Sequence, residues 1–67
     1  MPRYKITSMD TGRIFYENVD FGTVVRVLEV PQMECLALYT AEVGTIVELL
    51  LKPAHTGFKL YVEKVGD

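Results

Sequence analysis

Two stretches of this chain are near-copies of one another. Phe21 to Pro31 reads FGTVVRVLEVP and Val43 to Pro53 reads VGTIVELLLKP, matched without a gap at an offset of 22 residues. The match continues beyond them, since Leu36, Leu38, Tyr39, Val43 and Gly44 recur as Phe58, Leu60, Tyr61, Val65 and Gly66. A weaker third copy lies upstream, where TGRIFY (Thr11 to Tyr16) resembles TGFKLY (Thr56 to Tyr61). Recurrence at a short period marks one structural unit used more than once. Both copies are therefore expected to share a backbone form.

Period alone does not choose that form. In the first copy Phe21, Val24, Val25 and Leu28 fit helical spacing, while Val25 and Val27 also alternate with Val24, Arg26 and Leu28. Four valines and a threonine in the eight residues Thr23 to Val30 lose side-chain freedom in a helix and suit a pleated surface, which predicts a strand ended by Pro31. The second copy, Thr45 to Lys52, is predicted as a strand by analogy. Arg26 and Glu48 then mark the wet face, and Val25, Val27, Val47, Leu49 and Leu51 point inward. A helix over residues 41–52 is the alternative, because Val43, Ile46, Val47 and Leu50 form a helical stripe.

The rest reads as short strands and turns. Arg3 to Ser8 alternates Tyr4 and Ile6 with Lys5 and Thr7, Asp10-Thr11-Gly12 supplies a hairpin turn, and Arg13 to Asn18 returns. Gly22 is expected in a conformation that a Cβ would resist. Cys35 to Thr40 is predicted as a strand. Pro53 to Gly57 is predicted as one 3₁₀ turn closed by glycine. Phe58 to Lys64 is predicted as a strand with Phe58, Leu60 and Val62 on one face and Lys59, Tyr61 and Glu63 on the other. The last three residues are expected to be loose. The predicted fold is an all-β single domain over residues 1–67, a small antiparallel SH3-like barrel of about six strands that satisfies its edges by curling, with an α+β fold carrying a helix near 41–52 as the alternative.

Length and composition bear on function. A chain of 67 residues buries only about 60% of its unfolded surface, so it needs help from a disulfide, a metal or a partner. One cysteine and one histidine supply neither of the first two. Apolar residues make up 49% of the chain, more than so small a core uses, and this points to a protein interface. Seven Lys and Arg against nine Asp and Glu, net charge -2, argue against general phosphate binding. No apolar run approaches the roughly 18–20 residues of a membrane span, and MPRYKITSMD lacks the apolar core of a signal peptide; the expected location is cytoplasmic, without membrane insertion.

Lys5 to Thr7 (KIT) in the first strand and the Gly-Thr-x-Val-x-Val run from Gly22 to Val27 resemble the FeoA-type SH3-like domains of bacterial ferrous-iron uptake. The resemblance covers about half of the chain. It implies an accessory role at a membrane transporter, by association with the transporter's cytoplasmic domain.

The candidate binding residues are tyrosines. Tyr16, Tyr39 and Tyr61 hold equivalent places in the three partial copies, opposite Phe15, Leu38 and Leu60, and Tyr4 is a further member. An exposed aromatic row can anchor a protein partner or stack unpaired bases, or it can simply cover the second face with its hydroxyls in water. Arg3, Lys5, Arg13 and Arg26 are expected as a solvated face. Cys35 has no basic neighbour to stabilise a thiolate, and His55 is expected as a surface imidazole. No spacing pairs two carboxylates for acid and base work. The chain is thus expected to be non-enzymatic, without cofactor or metal, and to act as a protein interaction module, either a homo-oligomer or a small accessory or inhibitor-type subunit; binding of single-stranded nucleic acid is the alternative.

Overall fold

The computed structural model describes all residues, Met1 to Asp67. Five strands form one curled antiparallel sheet: β1 (Arg3–Ser8), β2 (Ile14–Asp20), β3 (Leu28–Glu29), β4 (Ile46–Leu51) and β5 (Lys59–Gly66), in the spatial order β2-β1-β5-β4-β3. Two short helices, α1 (Phe21–Val27) and α2 (Gln32–Thr40), and a 3₁₀ turn at Ala54–Thr56 complete the chain. The fold is mostly β with two helices, and β2 and β3 remain as free edges, so the sheet is a half-barrel and not a closed one.

The near-copies take different forms. Thr45 to Lys52 is the predicted strand, with Leu49 buried and Val47 and Leu51 packed against the core. Thr23 to Val27 is helical, which corrects the predicted strand there. The cause lies one residue before the match. Asp20 accepts a hydrogen bond from Thr23 N–H (2.8 Å) and another from the Thr23 hydroxyl (2.8 Å), capping the first turn of α1. The equivalent residue in the second copy is Glu42, a poor cap because its longer side chain does not reach back as aspartate does. The glycines diverge in the same way. Gly44 has φ +99°, open to glycine but strained for other residues, whereas Gly22 has no positive φ and sits in the first turn of α1, against expectation. The helical stripe in the first copy then prevails: Val24 and Leu28 are fully buried, and Phe21 and Val27 pack beside them.

The predicted strand at Cys35 to Thr40 is also corrected, since it lies in α2. Pro31 precedes the helix, and Gln32, Met33, Glu34, Leu36, Ala37 and Leu38 are good helix formers. Elsewhere β1 has the predicted bounds, the 3₁₀ turn closes at Gly57 with φ +77°, and β5 keeps the expected alternation at Leu60 and Val62 but runs from Lys59 to Gly66, leaving Phe58 before the strand and exposed. The C-terminus is ordered, not loose: Gly66 is opposite Arg3, and the Met1 amino group donates to the Asp67 carbonyl (3.1 Å).

The core lies between the inner face of the sheet and the helices. Tyr4 and Ile6 of β1, Leu60 and Val62 of β5 and Leu49 of β4 are buried beneath Val24, Leu28 and Leu38. The outer face carries no helix. No helix is long and apolar enough to cross a membrane.

Candidate functional site

α2 is the least integrated element of the fold. A nine-residue helix has little stability of its own in water, and Leu38 is its one buried residue. Its docking relies instead on its C-terminal carbonyls, which have no partner inside a helix. Tyr4 Oη donates to the Leu38 carbonyl (2.9 Å) from within the core. Lys64 Nζ donates to the carbonyls of Tyr39 (2.9 Å) and Ala41 (2.6 Å) and pairs with Asp67 Oδ1 (3.2 Å). Only 3% of Lys64 is exposed. A cation at a helix C-terminus also meets the negative end of the helix dipole. The same device serves α1, where Lys52 Nζ donates to the Val25 carbonyl (2.8 Å).

Held in this way, α2 turns a mostly apolar surface to solvent, with Glu34 its one exposed charge. Met33 is 94% exposed and Leu36 73%. Tyr39 follows three residues on at 44%, so the three form a strip along the helix. Val43, beyond the helix, is exposed as well. Glu34 is the only charged residue of α2, and it lines an apolar cleft of about 200 Å³ between α2 and β4, with Ala37, Leu38, Val47 and Leu49. The Thr40 hydroxyl donates to the Leu36 carbonyl (2.8 Å), which leaves it less available to water. A surface helix normally sets charged residues opposite its buried stripe; α2 sets methionine and leucine there.

The four candidate tyrosines do not form one row. Tyr4 is fully buried, which corrects its place among surface residues; it bonds Leu38, and its burial, with Tyr39 nearby, raises its pKa above the ordinary value of 10.0. Tyr39 lies on α2 and meets Phe21 edge to face, with ring centres 5.2 Å apart, while Phe21 also packs on Tyr4 at 5.9 Å. Tyr61 is on the outer face, in a shallow depression with Lys5, Thr7, Ile46 and Glu63. Tyr16 is on the edge strand β2, opposite Ile6 of β1. Tyr16, Tyr39 and Tyr61 are each about half exposed, on different elements.

The basic residues are likewise dispersed. Arg3 bonds the Asn18 side chain (Nε to Oδ1, 3.1 Å) and the Asn18 carbonyl, and Lys5 pairs with Glu63 (3.6 Å) on the outer face. Cys35 is half-buried with its thiol towards the Val30 carbonyl, and His55 is exposed in the 3₁₀ turn. No three His, Cys, Asp or Glu residues are gathered as metal ligands.

Sequence reasoning missed Met33 and Leu36 because the strand assignment hid the helix that presents them. The signal that finds them is the run of helix formers after Pro31. No protein-family model, curated protein or solved structure matches the chain. The Gly22 to Val27 run that carries the FeoA-type resemblance is helical here.

Proposed function

We propose that this protein is a non-enzymatic interaction module, a small accessory subunit of the cytoplasm built on an SH3-like half-barrel, which docks a partner protein through the outward face of α2. The observation that carries this reading is the uncharged strip of Met33, Leu36 and Tyr39. Large apolar side chains left in water forgo about 1.5–3 kcal/mol each relative to burial, and here two of the most exposed stand on one short helix. Aromatic and methionine side chains are also enriched where proteins meet. The sheet supports this role by fixing the helix from below, through Leu38, Tyr4 and Lys64, so that docking needs little reordering.

The test uses the full chain, tagged and recovered under native conditions from cells of its source. Wild type is expected to retain a stoichiometric partner, and a Met33→Asp/Leu36→Asp variant with an unchanged circular dichroism spectrum is expected to lose it. Identical sets of retained proteins would overturn the proposal.

A further inference from the structure

β3 stops too soon to cover its neighbour. It pairs with β4 only at Leu28 with Leu51 and Glu29 with Leu50, and then Val30 and Pro31 lead the chain into α2. The rest of β4, Ile46 to Leu49, is left as a free edge beside the cleft that α2 makes with this strand.

The ladder with β5 decides which groups that edge presents. Its register is unbroken from Ile46 opposite Glu63 to Leu50 opposite Lys59. At one end the Thr45 carbonyl accepts from Lys64 N–H (2.9 Å), and at the other Leu51 N–H donates to the Phe58 carbonyl (2.8 Å). Val47 and Leu49 between them therefore bond to β5, and the N–H and C=O of Ile46 and Glu48 turn the other way. On that side Glu29 stands opposite Leu50. The next residue in step would be Pro31 against Glu48, but proline has no N–H to give, and the Pro31 carbonyl already accepts from Glu34 N–H (2.8 Å). Two donors and two acceptors, those of Ile46 and Glu48, are thus left on the cleft side without a backbone partner.

The cleft selects what can pair there. Glu34, Ala37, Leu38 and Ala41 recur at helical spacing as one wall, and Val47 and Leu49 form the other. Its volume of about 200 Å³ is below the roughly 300–1,000 Å³ of small-molecule sites, and suits a side chain of an added strand. Glu34 and Glu48 are its charged residues. Both are exposed, neither joins an ion pair, and the lining holds no Lys, Arg or His.

We propose that the β4 edge takes an extended, basic segment of a partner protein, added antiparallel to β4 in line with β3. The free groups set its register. One residue of the segment exchanges both hydrogen bonds with Glu48, and the residue two further on does so with Ile46. Their side chains lie on the outer face, where a lysine or arginine meets the Glu48 carboxylate. The residue between them stands opposite Val47 and sends an apolar side chain into the cleft against Ala37, Leu38 and Ala41. This slot uses the flank of α2 and does not depend on the strip of Met33, Leu36 and Tyr39.

The probe is an end-blocked hexapeptide of alternating lysine and valine, titrated into the isotope-labelled full chain and followed by NMR. A dissociation constant of roughly 100 µM to 1 mM is expected, with the amide signals of Ile46 and Glu48 moving most. N-methylation of the lysines, whose N–H groups face β4, is expected to weaken binding about tenfold; N-methylation of the valines, whose N–H groups point away, is expected to leave it within about twofold. Glu48→Lys is expected to weaken it about tenfold, and Met33→Asp/Leu36→Asp to leave it unchanged, so that failure of this slot and failure of the α2 docking strip are read separately. No movement of Ile46 and Glu48 at up to about 5 mM peptide overturns the proposal, as do equal losses from the two methylations or equal affinity for a glutamate–valine hexapeptide. Hexylamine binding as tightly to the same residues would also overturn it and assign the cleft to a small cation. A doubled chain mass without peptide, reversed by Glu48→Lys, would overturn it in favour of a second copy of the chain.

Discussion

Replacing Lys64 with methionine removes the ammonium that holds α2 while keeping most of the aliphatic stem in its buried place. Two charge-assisted hydrogen bonds are lost, to the carbonyls of Tyr39 and Ala41. At about 1.5–3 kcal/mol each, they set a ceiling of about 3–6 kcal/mol. Part is recovered, because the variant no longer desolvates a charge and carbonyls at a helix end can take up water. A net loss of about 2–3 kcal/mol is expected, a large share of the roughly 3–5 kcal/mol that a core of this size supplies. With about 4–8 °C per kcal/mol in so small a domain, the melting temperature should fall by about 10–20 °C. Calorimetry measures the fall, and hydrogen exchange locates it: α2 amides should lose protection before those of β1 and β5. A loss below about 0.5 kcal/mol, the range of ordinary surface substitutions, with α2 protection unchanged, would refute the view that Lys64 fastens the helix.

The cap of α1 gives a second test, in which Asp20→Glu, the residue of the second copy, should reduce helical circular dichroism, and Asp20→Asn should preserve it because the amide oxygen accepts the same bond. The Thr23 hydroxyl and then the Thr23 N–H, with Arg3 and Arg26 assisting, hold the Asp20 carboxyl below its ordinary value of 3.8. Its contribution is therefore complete above that value and lost as pH falls through the lower folded one; the stability advantage of wild type over Asp20→Asn should be constant above that value and close only as pH falls through that range. Tyr4 has the opposite sign, since its raised pKa keeps the folded phenol neutral after unfolded tyrosine begins to ionise at about pH 10. Stability should fall as pH rises past 10, and Tyr4→Phe, measured by denaturant unfolding at each pH, should lack that part of the fall.

Alternation revealed the sheet well wherever a strand pairs on both sides. In β1 it sets Tyr4 beside Ile6 on the inner face, and the burial of both follows that period. Listing Tyr4 with the surface tyrosines contradicted the same alternation. In β5 the period that turns Leu60 and Val62 inward carries on to Lys64, so a buried lysine was legible there too, although its partners on α2 were not. The repeat misled because the two copies share their apolar residues but differ in the cap: aspartate before the first and glutamate before the second decide helix against strand. β-branched propensity in Thr23 to Val30 lost to that cap and to the burial of Val24 and Leu28, as tertiary context commonly overrides propensity. α2 was hidden by a shorter ambiguity. CLALYT alternates acceptably as a strand, and only with Gln32 to Glu34 included does the run of helix formers stand out. Of the four candidate tyrosines Tyr39 alone lies on the proposed docking surface, and the residues that dominate it, Met33 and Leu36, depend on a helix that alternation did not suggest.

Site-specific photo-crosslinking tests most directly whether the mostly apolar face of α2 meets a partner protein. A photoreactive residue is placed at Leu36, and as a control at Lys59, an exposed position on β5, with both proteins expressed in cells of the source and illuminated before lysis. A discrete adduct of defined mass from position 36, absent from position 59, is the predicted result. No adduct from position 36, or the same adducts from both positions, would contradict it.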